Sequence, residues 1–167
     1  MSRRRRSSGQ ALAEFALIIP IFLALLMGIF DFGRVVWASN SLAHAAREGA
    51  RFAIVHGGSP MDPCPVGPLA PEYDITLMGT CSHAVSPSRQ AVKDAALSAV
   101  MAGGTSTAVT VCYGAGCTGD TDATGGTNAR GTPVTVTVTS QLPLTAPSLL
   151  GFSTVSVSGG TTMLVNH

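Results

Sequence analysis

The feature that most limits what this chain can become is an uncharged apolar run, Phe15 to Phe30, behind a block of arginines, Arg3–Arg6. As a helix that run is about 24 Å long, at ~1.5 Å per residue. Adding Ala11–Ala13 and Phe32 brings it to bilayer scale, for which about 20 mostly apolar residues are needed. Arginines on the N-terminal flank predict that this end stays in the cytoplasm, by the positive-inside rule. Everything after about Asp31 is then expected outside the membrane. The chain carries ten basic residues and a net charge of +1. With the arginine block read as a topology signal, no basic patch remains for a nucleic-acid partner. The expected partner is a membrane.

A basic start and an apolar run also describe a secretory signal peptide, whose h-region is about 7–15 residues long and is followed by a small-x-small site. Ala43-His44-Ala45 is a candidate site, but it lies well past the run, beyond Asp31 and Arg34. Arg3-Arg4 as a twin-arginine signal is a further alternative.

Glu14 is out of place at the head of such a run. An ionised, unpaired carboxylate near mid-bilayer costs on the order of 2.5–3.5 kcal/mol. It stands five places after Gly9, in Gly9-Gln10-Ala11-Leu12-Ala13-Glu14-Phe15. If the chain is cut after Gly9, Gln10 becomes the N-terminus and Glu14 lies at i+4 from it, on the same helix face. There the helix dipole favours the carboxylate and disfavours the new ammonium. A pair between them, within one chain or between packed neighbours, offsets both penalties. The plainer alternative is a carboxylate at the headgroup boundary that reaches water.

Gly9, Glu14 and Phe15 in this register resemble the class III signal sequence of type IV pilin-like proteins. The longer stretch "GQALAEFALIIPIFLALLMGIFDFGRVVWASNSLAHAAREGARFA" more narrowly resembles the TadE-like pseudopilins of the tight-adherence (Flp-type) pilus system. The likeness is strong over about Gly9–Ala53 and returns weakly in "GTPVTVTVTS" and near "TTMLV". It implies cleavage after Gly9 by a prepilin peptidase, an N-methylated Gln10, and Glu14 and Phe15 as determinants of processing or assembly. Other pilus subunits and tight-adherence machinery proteins are the implied partners, at the bacterial cytoplasmic membrane. The chain departs from the pattern in its very short leader, with four arginines close to Gly9.

Beyond the run, Gly33–Val55 has no proline, and small or apolar residues recur at Val35, Leu42, Ala46, Gly49, Ala50 and Ala53. That spacing suits one closely packed helix face. One helix is therefore expected over 10–55, kinked gently at Pro20, which cannot donate to the carbonyl of Ala16. Asp31 and Arg34 read as an interfacial i,i+3 pair worth a few tenths of a kcal/mol, or as part of a filament contact. Trp37 suits the interfacial belt. Arg47, Glu48 and Arg51 read as a solvated face.

His56-Gly57-Gly58-Ser59-Pro60 breaks the helix, and a proline-rich loop extends to about Ser88. A second helix is expected over Gln90–Met101. The period then changes to two, with strands at Thr107–Tyr113, Thr132–Thr139 and Thr154–Val165. Val134, Val136 and Val138 should face the long helix. The expected fold is α+β and pilin-like: a long N-terminal helix packed on a small antiparallel sheet, with a second helix. In segments this is a basic leader (1–9), a transmembrane helix (10–33), a soluble continuation (34–56) and an extracytoplasmic α+β domain (57–167).

Four cysteines lie on the side placed outside the cytoplasm, where disulfides persist. They allow three connectivities. Neighbour pairing, Cys64–Cys81 and Cys112–Cys117, is the expectation. Zinc held by these cysteines with His44, His56 or His83 lacks any CxxC or HxxxH spacing. Asp120 and Asp122 loosely resemble a calcium loop but lack its terminal glutamate. No nucleophile elbow, phosphate loop or evident carboxylate pair points to an enzyme. No metal or cofactor is implied. The expected function is a pseudopilin or minor-pilin-like structural subunit. The alternative is an uncleaved single-pass membrane protein whose outer domain binds a partner.

Overall fold

The computed structural model describes residues 6–57, 64–68, 89–116, 119–120, 126–145, 151 and 154–166, with side chains from residue 9 onward. The chain is α+β, as expected. Helix α1 (Arg6–Val55) runs unbroken for 50 residues, past Pro20. At ~1.5 Å per residue it is about 75 Å long, far longer than the domain packed on it. It ends where His56 N–H donates to the Phe52 carbonyl, 3.2 Å away. The His56 ring stacks on Phe52, with centroids 4.3 Å apart.

Helix α2 (Gln90–Ser98) is shorter than its apolar spacing predicts. After Ser98 the N–H groups of Ala99 and Val100 fold back on Ala96 and Leu97. The next two, on Met101 and Ala102, both donate to the Ser41 hydroxyl of α1, at 3.0 and 2.9 Å. A buried serine thus takes the bonds that would have continued the helix.

The sheet is antiparallel in the order β1 (Ser106–Tyr113), β2 (Pro133–Pro143), β3 (Thr154–Leu164). Val109 pairs with Val138, and Val136 pairs with Thr161. Because side chains alternate across a strand, Val134, Val136 and Val138 all point one way, and all are fully buried. They meet Leu42, Ala46 and Ala50 of α1 in one core with Val92 and Ala96 of α2. Each buried valine contributes roughly 1.5–3 kcal/mol.

Small residues set how closely the layers approach. A Cβ on Gly49 would come within 2.8 Å of the Ala96 Cβ, and one on Gly159 would collide with the backbone of Leu42 and Ala43. Gly49 lies beside Val136, whereas Arg34 reaches the Pro143 carbonyl. Those helix positions are about 22 Å apart and those strand positions about 23 Å apart. Strand β2 therefore runs alongside α1 in the opposite sense, and its Pro143 end lies where α1 leaves the domain.

Candidate functional site

Helix α1 has two environments along its length. From Asp31 onward one face is packed; before it, the large side chains are bare. Leu12 and Leu17 are each 71 % exposed and Met27 is 42 % exposed; of the large apolar residues there, Ile19 alone is half-buried. The segment's most apolar 18-residue window has a mean hydropathy of 2.5, and none of that window is buried within the chain. It is one helix long and apolar enough to cross a membrane. A bare apolar surface of this extent marks a membrane or protein contact.

At its start, Gly9 has nothing within 4 Å of where a Cβ would stand. The bond between Gly9 and Gln10 lies within α1, near the start of its described residues. Glycine weakens a helix there by about 1 kcal/mol relative to alanine. Gln10 Nε2 donates to Glu14 Oε1 at 3.2 Å. This i,i+4 contact runs through the side-chain amide, not through a main-chain amine. Phe15 is 62 % exposed.

Where the bare segment meets the domain, the Asp31–Arg34 pair does more than a surface ion pair would. Asp31 is buried, and its Oδ2 accepts the Thr145 N–H at 2.8 Å. Arg34 lies 3.7 Å from the same carboxylate and donates through Nη1 to the Pro143 carbonyl at 3.2 Å. Together they clamp the strap Pro143–Thr145 onto the helix. Sequence reasoning missed this clamp. Its one visible signal was a carboxylate directly after an apolar run.

The Asp120 carboxylate is likewise occupied. Lys93 Nζ sits 2.6 Å from its Oδ2, and the Val111 N–H donates to its Oδ1 at 2.9 Å. Its carbonyl accepts from Arg89 at 2.6 Å. Partial burial raises the Asp120 pKa, but the Lys93 and Val111 hydrogen bonds and the two nearby cations outweigh it, and the carboxyl titrates below its ordinary value. These contacts tie α2 to β1, an edge strand among the described residues. They replace the calcium-loop alternative for Asp120; Asp122 lies outside the described residues.

Cys64 and Cys112 are both disulfide-bonded, and no free cysteine occurs among the described residues. Cys81 and Cys117 lie outside them. The Cys64 loop is held to the sheet end through the Val66 carbonyl, which accepts from Asn128 Nδ2 at 3.2 Å and from the Tyr113 hydroxyl at 3.4 Å. Among the described residues no cluster of His, Cys, Asp and Glu could hold a metal.

Residues 9–51 match the sequence model of the TadE-like protein family. The matched stretch lies wholly within α1, covering the bare segment and most of the packed one. No curated protein and no solved structure matches the chain.

Proposed function

We infer that this chain, whose residues 9–51 are TadE-like and so associate it with the tight-adherence pilus system, is a pseudopilin-like structural subunit of that pilus or a related secretion filament. The observation that carries the reading is the division of α1: one continuous helix, bare and bilayer-length below Asp31, packed above it. A subunit held in the membrane and later drawn into a filament needs an apolar half that accepts lipid first and neighbouring helices second. In this reading the arginine leader stays in the cytoplasm and the α+β domain lies outside.

A prepilin peptidase cuts after Gly9, and the ammonium of Gln10 then pairs with Glu14 of its own chain or of a packed neighbour. Other filament subunits and tight-adherence machinery proteins are the partners. Disulfides Cys64–Cys81 and Cys112–Cys117 close the outer loops; peptide mapping of the unreduced chain checks them, and a Cys64–Cys117 peptide would exclude that pairing.

The test of the assembly role is Glu14→Ala. Removing the carboxylate makes the segment more apolar, so insertion is spared, while cross-linking to partner subunits should fall. Wild-type co-assembly of Glu14→Ala would sink the pairing. One observation favours the uncleaved single-pass alternative: the Gln10 side chain already gives Glu14 a hydrogen bond in the intact chain. That alternative expects no loss of assembly with Glu14→Ala.

A further inference from the structure

The strap and the helix leave a groove between them, directly below the clamp. It is lined by Leu26, Met27, Phe30 and Thr145. On a helix, Leu26, Met27 and Phe30 share a side with Asp31 and Arg34, whereas Leu25, Ile29 and Phe32 lie opposite. Arg34 lies one helical turn beyond Phe30, with its side chain 37 % exposed. Among the described residues only Nη1 of its guanidinium makes polar contacts. It is also the one cationic side chain of α1 between Gln10 and His44.

We propose that this groove is a phospholipid site: an acyl chain lies along Leu26, Met27 and Phe30 beneath the strap, and the lipid phosphate pairs with Arg34. The proposal rests on the membrane reading above. Its geometry follows from the clamp. The buried Asp31 carboxylate fixes Thr145 and orients Arg34, so the fork of the guanidinium is held at the level where the apolar surface ends. Arginine suits that position because it offers several donors to one phosphate. Among the described residues the rest of the bare helix has no second wall and no cation to hold a lipid. A bound lipid would fill the gap between domain and bilayer and fix the tilt at which the domain stands.

The test uses the full chain in phospholipid nanodiscs and two photoactivatable probes with the same diazirine acyl chain: a phospholipid, and a diacylglycerol without phosphate. With the phospholipid, adducts should concentrate on Leu26, Met27, Phe30 and the Pro143–Thr145 strap rather than on Leu25, Ile29 and Phe32. The diacylglycerol should label the strap about tenfold less, as expected for loss of one charge-assisted contact, and label Leu17–Ile21 equally. Met27→Trp fills the groove without touching the clamp and should abolish strap labelling. Arg34→Lys, which keeps the charge, should retain it in part.

Even labelling around the helix, equal strap labelling by both probes, or chain-to-chain cross-links in place of lipid adducts would overturn the proposal. Absence of adducts anywhere from Phe15 to Phe30 would instead remove the membrane reading on which it rests.

Discussion

Gly159 and Gly160 are neighbours on β3, and they should respond in opposite ways to the same substitution. Gly159 faces α1, where an added Cβ would run into the backbone of Leu42 and Ala43. Overpacking a core costs about 1–3 kcal/mol. Helix backbone cannot turn aside as a side chain can, so Gly159→Ala belongs at the upper end of that range. Gly160 faces outward, and its new Cβ would lie 3.3 Å from the Thr137 hydroxyl and at least 3.7 Å from anything else. There, alanine restricts the unfolded chain and stabilises by about 0.4–1 kcal/mol, less whatever Thr137 must yield. For a chain of 167 residues, 1 kcal/mol moves Tm by about 2–4 °C. Thermal unfolding of the detergent-solubilised chain, followed by circular dichroism, should put Gly159→Ala roughly 6–12 °C below wild type. Gly160→Ala should lie at or slightly above wild type. Equal Tm values for the two variants, or a larger loss at Gly160, would refute the close approach of β3 to α1.

Asp31→Ala removes a buried acceptor from the Thr145 N–H and the ion-pair partner of Arg34, and should cost about 1.5–3 kcal/mol. Hydrogen exchange at the Thr145 amide should accelerate accordingly; unchanged protection there would show that the strap is held by something else. For Asp120 the sign follows from its lowered pKa: its stabilisation is complete above the ordinary carboxyl value of 3.8 and is lost as pH falls through the lower folded value. The side chain is 46 % exposed, so solvent screening keeps the effect below about 1 kcal/mol. Unfolding titrations should find that Asp120→Asn is less stable than wild type at neutral pH and that the gap narrows below pH 3.8; a gap independent of pH would contradict the Lys93 and Val111 contacts.

The elements were legible wherever period alone decides. The long helix, the three strands and the buried row Val134, Val136, Val138 all follow from spacing. Strand β2 extends further than its Thr/Val alternation, because Gln141 still pairs with Ser106 and Leu142 is still buried, although the residue pattern has lapsed by Ser140. Helix α2 stops early because of Ser41, a residue far away in sequence. The Asp31 clamp joins residues 114 positions apart, and no local pattern encodes such a contact. Asp120 resembled a metal ligand because sequence displays its carboxylate but not the cation beside it. At the start of the apolar run, by contrast, residue order carried most of the information: Gly9, Gln10 and Glu14 owe their relation to helical spacing alone.

The intact mass of the chain, extracted from membranes of a host that carries the cognate prepilin peptidase, tests the central claim most directly. The pseudopilin account expects a single species beginning at Gln10, with or without one added methyl group, and expects Gly9→Ala to accumulate the longer form. A mass that still includes Ser2–Gly9 in the wild-type protein would contradict it and leave an uncleaved single-pass membrane protein.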